Sequence, residues 1–191
     1  MTQRIPTPSQ ARPAVFLDRD GTLMEDRGHI RSPSEVIFFP DSPAALQRLG
    51  KQFLLFIVTN QPGVAEGVVT MEEVERVHAH VVAQLAQWGI HIHEVYVCPH
   101  RRSENCGCIK PRPYFLLKAA ESYGLDLSRS FVVGDHPHDM DFAHSVGASG
   151  VYVLTGHGAK HRSELADPTL VVPGIRQAAD WILTHSSGSC F

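Results

Sequence analysis

Short apolar runs alternate along this chain with longer segments in which apolar residues recur at helical spacing. The apolar runs predict buried strands at 14–17 and 53–58 and further strands at 131–133 and 151–154, the last strand of the chain. An alternating pattern predicts a strand at 92–98, and a run at 36–39 also fits a short strand. The periodic segments predict helices at 42–50, 70–88, 113–123, 140–146 and 174–184. Because strands and helices alternate, we expect a doubly wound α/β fold with right-handed crossovers around a parallel sheet.

Capping residues mark several of the predicted helix ends. Ser42 followed by Pro43 fits an N-cap with proline in the first turn. Thr70 and Glu73 stand at the spacing of a capping box. Three glycines are expected to end helices, namely Gly89, Gly124 and Gly147.

The composition is typical of one globular domain, since 43% of the 191 residues are hydrophobic and 19% are charged. We expect this domain to span 14–185, between an N-terminal tail at 1–13 and a C-terminal tail at 186–191. The net charge of −3 gives no indication of a nucleic-acid or anionic membrane surface. Residues 1–13 lack the apolar core of a secretory signal, and no segment reaches the roughly 18 apolar residues that span a bilayer. These features predict a cytoplasmic protein.

The first strand ends in two carboxylates, Asp18 and Asp20, followed by Gly21, which tolerates the dihedral angles of a sharp turn. Ligands of open α/β sheets bind at the carboxyl ends of strands, so two acids here could bind a divalent cation, attack an electrophile or transfer a proton. A solvated Asp-Gly turn is the simpler interpretation of this pair taken alone. A calcium loop is excluded because its twelfth position, counted from Asp18, is His29 rather than glutamate.

Three later segments have the same form, an apolar strand followed by residues suited to phosphate or metal binding. They contain Thr59-Asn60-Gln61, Lys110, and Gly134-Asp135 with Asp139. Together with Asp18-Arg19-Asp20-Gly21-Thr22, these motifs stand in an order that resembles the haloacid dehalogenase (HAD) phosphatase superfamily. The resemblance extends over 14–156, most of the chain.

The resemblance implies phosphoryl transfer to Asp18 as the nucleophile, through an aspartyl-phosphate intermediate. Asp20 would protonate the leaving group as a general acid and then activate water as a general base. Mg²⁺ would be bound by the carboxylates of Asp18 and Asp135 and by the backbone carbonyl of Asp20.

Two further residues would contact the phosphate. Thr59 would contribute its hydroxyl and Lys110 its positive charge, although either residue alone would usually be an ordinary turn or surface residue. We expect Asp139 to orient a metal-bound water or Lys110, and Asp141 to be a surface charge.

Three of the four cysteines lie close together, with a histidine among them, in the cysteine loop at 98–108. In a chain predicted to be cytosolic, this clustering indicates metal binding rather than disulfides. Thiolate and imidazole ligands in a set of four predict a closed, structural Zn²⁺ site that fixes the loop before Lys110; the ligands are Cys98, His100, Cys106 and Cys108. Their spacing does not match a nucleic-acid zinc finger. Cys190 is expected to be a free thiol.

The cysteine loop narrows the resemblance to HAD phosphatases without a cap domain, the group of D-glycero-D-manno-heptose 1,7-bisphosphate and histidinol-phosphate phosphatases. The segments 21–41 and 62–110 are too short for a folded cap, so we expect an open site whose specificity comes from loops. The resemblance implies substrate contacts from Asp26, Arg27, Gly28, His29, Asn60 and Gln61. His136 is a further candidate contact, and His138 fits a substrate contact or a surface residue equally well.

Two positions depart from the pattern of the heptose enzymes, which commonly have Arg-Lys after the last zinc cysteine and a lysine after the metal-binding aspartate. This chain has Ile109-Lys110 and His136 there. Isoleucine cannot form the bidentate contact of an arginine, although Arg112 or Arg102 could replace it.

We therefore expect a Mg²⁺-dependent phosphatase acting on a small sugar phosphate, with removal of the C7 phosphate of heptose 1,7-bisphosphate as the first hypothesis. Histidinol phosphate or another small phosphorylated metabolite is the second. A zinc-stabilised binding module with an inactive acidic loop is the third, and the complete set of expected catalytic positions argues against it. We expect a monomer that contains Mg²⁺ and Zn²⁺ and binds neither nucleic acid nor membranes.

Overall fold

Six parallel strands form one sheet in the computed structural model of the chain, which describes residues 11–166 and 169–186. The strands are β1 (Ala14–Leu17), β2 (Leu54–Asn60), β3 (Ile92–Cys98), β4 (Phe131–Gly134), β5 (Ser149–Val153) and β6 (Leu170–Val172). Across the sheet they stand in the order β3-β2-β1-β4-β5-β6. The strand order reverses between β1 and β4, which is where doubly wound sheets bind ligands. The predicted α/β fold is confirmed.

Helices cover both faces of the sheet. They are α1 (Ser42–Leu49), α2 (Met71–Gln87), α3 (Tyr114–Tyr123), α4 (Pro137–His144), α5 (Gly158–His161) and α6 (Ile175–Ser186). Strand β1 is buried along its whole length because its alternating side chains enter two apolar clusters. Val15 and Leu17 pack with residues of α1, α2 and α6, whereas Ala14 and Phe16 pack with residues of α3 and α4. The buried strand β1 therefore holds in place the start of the acidic segment that follows it.

Two strand predictions differ from the structure. Residues 36–39 do not form a strand, since only Phe38 pairs there, through an isolated antiparallel bridge to Met24. Val36 and Phe38 pack against the core from a loop instead, whereas Ile37 is exposed. The strand predicted at 151–154 is present as β5, but it is not the last, because β6 follows it at the edge of the sheet. With three residues, β6 is too short to give a recognisable apolar run.

The capping predictions were right for one helix and wrong for another. The hydroxyl of Thr70 accepts the N–H of Glu73 at 3.1 Å, and the Glu73 carboxylate accepts the N–H of Thr70 at 2.7 Å. In α1, however, Asp41 occupies the N-cap position. The Ser42 hydroxyl instead donates a 2.7 Å hydrogen bond to the Leu23 carbonyl and so fixes α1 to the loop after β1.

The segments that could hold a cap domain are short in the structure. The chain between β1 and α1 contains one short 3-10 helix, Pro33–Glu35, and the chain between β2 and β3 contains α2. Neither holds a cap among the described residues. None of the helices described is long and apolar enough to cross a membrane. Cys190 and most of the predicted tails lie outside the described residues, but Arg12 forms a parallel bridge with Leu125.

Candidate active site

The carboxyl ends of three neighbouring strands meet at one edge of the sheet. Leu17 of β1 is in register with Ile57 of β2 and Val133 of β4, so the polar residues that follow these positions lie close together. A cavity of about 300 Å³ opens there, and it is lined by every predicted catalytic residue: Asp18, Asp20, Thr59 and Lys110. The predicted substrate contacts that line it are Asp26, Gly28, His29, Asn60, Gln61 and His136. Arg27 is exposed and is not among the lining residues.

Lys110 is buried at the base of this cavity, with 5% of its surface exposed. Its ammonium donates hydrogen bonds to Oδ1 of Asp18 and Oδ1 of Asp139, both at 2.6 Å, and to the Val58 carbonyl at 3.0 Å. Burial alone would lower the pKa of Lys110, but Asp139 and Asp18 outweigh it and hold that pKa above its ordinary value. The backbone N–H of Lys110 also donates to Oδ1 of Asn60 at 3.2 Å. Lys110 is therefore a fixed cation in contact with the predicted nucleophile.

Three carboxylates lie close together beside the Lys110 ammonium and form the acidic group of the site, with Asp135 and Asp139 buried and Asp18 half-buried. One oxygen atom from each of Asp18, Asp135 and Asp139 lies within 4.8 Å of the others. Burial raises the pKa of Asp18 well above its ordinary value, and Lys110 offsets only part of this effect. Burial and the nearby Asp139 raise the pKa of Asp135 to about 6. Because three acids face one ammonium, the group is suited to a divalent cation bound through oxygen.

Contacts from two loops hold Asp135 in place. Its Oδ2 accepts the N–H of His157 at 2.7 Å, and its Oδ1 accepts a 3.4 Å hydrogen bond from the Thr22 hydroxyl. Gly21 and Gly156 have φ angles of +81° and +54°, and a Cβ atom at either position would overlap the Asp135 carboxylate. Both positions therefore require glycine, for backbone conformation and for close approach.

Asp139 is the second acidic partner of Lys110 and is 2% exposed. Its Oδ2 accepts a hydrogen bond from the backbone N–H of His136 at 3.1 Å. Nδ1 of the His136 ring in turn accepts one from the backbone N–H of His138 at 3.3 Å. These two bonds cap the first turn of α4, which explains why the helix begins at Pro137 rather than at the predicted residue 140. The orienting role expected for Asp139 toward Lys110 has a direct contact in the structure.

Asp20 is bound by a different set of groups. Its Oδ2 accepts N–H groups from Nε of Arg19 at 3.0 Å, Nη2 of Arg19 at 2.7 Å and Nε2 of Gln61 at 2.8 Å. The same Gln61 nitrogen donates to the Thr59 hydroxyl oxygen at 2.9 Å. Oδ1 of Asp20 is buried and has no hydrogen-bond partner among the described residues. The Asp20 carboxylate is thus separate from the acidic group around Lys110.

The predicted zinc ligands converge in the cysteine loop. Sγ of Cys108 lies 3.3 Å from Sγ of Cys98, 3.3 Å from Nδ1 of His100 and 3.7 Å from Sγ of Cys106. Sγ of Cys98 lies 3.6 Å from Sγ of Cys106 and 3.7 Å from Nδ1 of His100. A tetrahedral Zn²⁺ with Zn–S near 2.3 Å and Zn–N near 2.0 Å spaces its ligand atoms roughly 3.5 to 3.8 Å apart. The donor set and its spacing therefore fit zinc.

One arginine and four histidines also line the cavity. They are Arg102, His29, His136, His138 and His157. Burial and the neighbouring His138 lower the pKa of His136 to about 4, so this ring is neutral near pH 7. Arg112, in contrast, does not line the cavity; its Nη1 donates to the carbonyls of Asn105 and Cys106, both at 2.6 Å. Of the two arginines that could replace the one missing after Cys108, the structure therefore places Arg102 at the cavity.

Sequence reasoning assigned no role to four residues that contact the site. Arg19 and Thr22 lie inside the motif at 18–22, so the motif itself was their signal. His157 follows β5 in a glycine-rich turn at the ligand-binding edge, which was a weaker signal. His78, which contacts Arg19 from α2, gives no signal in a sequence with twelve histidines.

Comparisons with known proteins agree with this geometry. Residues 107–178 match the family model described as HAD-hydrolase-like. A D-glycero-beta-D-manno-heptose-1,7-bisphosphate 7-phosphatase from Vibrio cholerae is 34% identical over 91% of this chain and 97% of its own length. The enzyme of the same description from Pseudomonas aeruginosa is 32% identical over 91% of this chain and 99% of its own length.

A solved structure extends the comparison. The D,D-heptose 1,7-bisphosphate phosphatase from B. bronchiseptica, complexed with magnesium and phosphate, superposes with a TM-score of 0.83 and 30% identity. The alignment covers 91% of this chain and 99% of that one. Shared sequence over nearly the full length, the same fold and a buried acidic site at the strand ends lead to one conclusion. The chain belongs to the HAD-like hydrolases and is a phosphoric monoester hydrolase of the heptose-bisphosphate phosphatase family.

Proposed function

We propose that the protein removes the C7 phosphate of D-glycero-D-manno-heptose 1,7-bisphosphate by way of an aspartyl-phosphate on Asp18. The observation that carries the proposal is the contact between Asp18 and Lys110 within a buried acidic group, in a chain whose relatives share this activity. The relatives named above act on the β anomer, so we expect the β anomer to be the better substrate.

Asp18 is the nucleophile in this proposal. Lys110 lies on one of its oxygens and favours the ionised form, which is the form that attacks phosphorus. As the Asp18 oxygen bonds to phosphorus, the bond from phosphorus to the sugar oxygen breaks, and Asp20 gives its proton to that oxygen. Asp20 then takes a proton from the water that hydrolyses the aspartyl-phosphate. Thr59 and Lys110 contact the phosphoryl oxygens.

The residues present fit a bound Mg²⁺. Asp18 and Asp135 would hold it with the backbone carbonyl of Asp20, because these hard oxygen ligands suit a small divalent cation. Asp139 accepts hydrogen bonds from the Lys110 ammonium and from the backbone N–H of His136, so in this proposal it positions Lys110. When bound, the cation would neutralise charge between the attacking carboxylate and the phosphoryl group.

The cysteine loop would hold Zn²⁺ as a structural ion. All four ligand positions are taken by protein groups, which leaves no open position for substrate. The loop leads directly into Ile109 and Lys110, so a fixed loop keeps the lysine at Asp18. Arg102 stands within the same loop and lines the cavity, where it is suited to contact the second phosphate of a bisphosphate.

The test is Mg²⁺-dependent phosphate release from both anomers of heptose 1,7-bisphosphate, heptose 7-phosphate, histidinol phosphate and glucose 6-phosphate. We expect kcat/KM for one heptose bisphosphate anomer to exceed every other value at least tenfold, about 1.4 kcal/mol in transition-state binding. Asp18→Asn serves as the blank. Equal, low values across the panel would reject heptose bisphosphate as the substrate, and preference for histidinol phosphate would replace it.

A further inference from the structure

Arg19 stands between the two predicted catalytic aspartates but turns away from the acidic group. It is 1% exposed, and its Nε and Nη2 both donate to Oδ2 of Asp20. Its remaining terminal nitrogen, Nη1, lies 2.5 Å from Nε2 of His78. His78 belongs to α2 and is 8% exposed. One buried guanidinium therefore joins Asp20 to a helix on the face of the sheet.

Arg19 donates the hydrogen bond that joins it to His78. A guanidinium only donates hydrogen bonds, so Nε2 of His78 must accept with its lone pair. Burial and the positive charge of Arg19 lower the pKa of His78 to about 3, and the ring is therefore neutral. His78 acts as a fixed acceptor that sets the rotation and depth of the Arg19 side chain.

The two carboxylate oxygens of Asp20 therefore differ in their hydrogen bonding. Oδ2 accepts three N–H groups, two from Arg19 and one from Gln61, which occupies its acceptor capacity. Oδ1 is buried without a partner among the described residues. A buried carboxylate oxygen without a partner is costly, and a hydrogen bond to a ligand removes that cost. Asp20 also lines the cavity, and of its two oxygens only Oδ1 has no hydrogen bond with the described residues, which leaves it free to carry a proton.

We propose that Arg19 and His78 are positioning residues that hold Asp20 by Oδ2, so that Oδ1 gives the proton to the leaving oxygen. The inference rests on the proposed role of Asp20 as general acid, but not on the identity of the sugar. In the step concerned, the phosphorus–oxygen bond to the leaving group breaks, its electron pair stays on that oxygen, and the Oδ1 proton bonds to it. Oδ1 then accepts a proton from the attacking water.

The experiment compares a substrate that needs protonation of its leaving group with one that does not. Glycerol 2-phosphate releases an alkoxide, whereas 4-nitrophenyl phosphate releases a stable phenolate. We expect His78→Leu to lower kcat/KM about tenfold for glycerol 2-phosphate and less than about twofold for 4-nitrophenyl phosphate, a part of the 10²–10⁴-fold typical of general acid catalysis. His78→Gln, which restores an acceptor for Arg19, should return the alkyl value to within about twofold of wild type.

Controls separate positioning from loss of structure. Val81→Ala creates a cavity one turn further along α2, in the apolar core, and should leave the ratio of the two kcat/KM values unchanged. Thermal melts of every variant verify folding. Equal losses on both substrates with His78→Leu, or no loss on either, would overturn the proposal.

The variant Asp20→Asn tests the general-acid role of Asp20 separately from the positioning role of His78. We expect this variant to lose activity on glycerol 2-phosphate far more than on 4-nitrophenyl phosphate. If Asp20→Asn reduced both substrates alike, the general-acid assignment itself would fail. If Asp20→Asn behaved as expected and His78→Leu changed nothing, only the positioning role of His78 would be rejected.

Discussion

The Lys110 ammonium lies 2.6 Å from Oδ1 of Asp18, although the two residues are 92 positions apart in the chain. Asp18 is placed by β1, the most buried strand, and Lys110 by the end of the cysteine loop. The contact therefore joins the predicted nucleophile to the predicted zinc site. It also places one positive charge among three carboxylates, which makes the fold depend on that charge.

Replacing Lys110 with methionine should damage both stability and activity. The Asp18 and Asp139 carboxylates would lose their buried counter-charge, which costs about 3–5 kcal/mol for a broken buried pair. Urea unfolding in zinc-containing, Mg²⁺-free buffer measures this loss, and we expect kcat/KM to fall at least about a hundredfold. Lys51→Met, at an exposed site, is the matched control. A Lys110→Met protein as stable as this control would show that the ion pairs contribute nothing.

Unlike Lys110→Met, Asp18→Asn should abolish activity without lowering stability. The amide cannot act as the nucleophile, so turnover should fall at least about a thousandfold. It also removes one of three neighbouring carboxylates, and burial raises the pKa of Asp18, so the fold disfavours its ionised form. We therefore expect the melting temperature without Mg²⁺ to equal or exceed that of wild type. A large drop in melting temperature would contradict this account of the acidic group.

The cysteine loop should carry one zinc ion per chain by native mass spectrometry. Cys106→Ser removes one ligand and should release the ion, lower the melting temperature on the order of 5 °C or more, and reduce kcat/KM because Lys110 loses its fixed position. Ser103→Ala, at an exposed position in the same loop, should change none of these properties. A wild-type protein purified without chelator but free of zinc would reject the metal assignment.

The sequence was most informative where one strand or motif decides the outcome. β1 and β3 were predicted to the residue, because the apolar run of β1 and the alternating pattern of β3 are each ended by polar or turn-forming residues. The groups around Lys110 were also predictable, since they follow strands whose carboxyl ends must meet at one edge. Such features are local in sequence, or follow from topology alone.

The features that sequence could not supply depend on tertiary packing. The contact between Arg19 and His78 spans 59 positions and depends on the packing of α2 in the same apolar cluster as Val15 and Leu17 of β1. The choice between Arg102 and Arg112 rests on the path of the cysteine loop, in which Arg112 binds the carbonyls of Asn105 and Cys106. β6 is an edge strand of three residues that pairs only with β5.

Arg102 and Arg112 should respond differently to alanine substitution. Arg102→Ala should lower kcat/KM for heptose 1,7-bisphosphate about tenfold, the loss of a charged hydrogen bond, with little change for heptose 7-phosphate, which lacks the second phosphate. Arg112→Ala should instead weaken the cysteine loop, which is measured as a lower melting temperature and easier zinc release to a chelator. Equal losses on both sugars with Arg102→Ala would remove it from recognition of the second phosphate.

The free energy of unfolding should fall with pH below about 6.5 because the fold lowers the pKa of His78. Its pKa is about 3 in the fold and near 6.5 when unfolded, so the unfolded chain binds more protons between these values. The contribution of His78 to stability is therefore complete above pH 6.5 and is lost as the pH falls toward 3. Between pH 7.5 and pH 5, the wild type should lose about 2 kcal/mol more than His78→Gln. Urea unfolding of both proteins at the two pH values measures this difference, in which every other titrating group cancels. Parallel pH profiles would show that His78 is charged or accessible in the folded protein, and that it does not accept a hydrogen bond from Arg19.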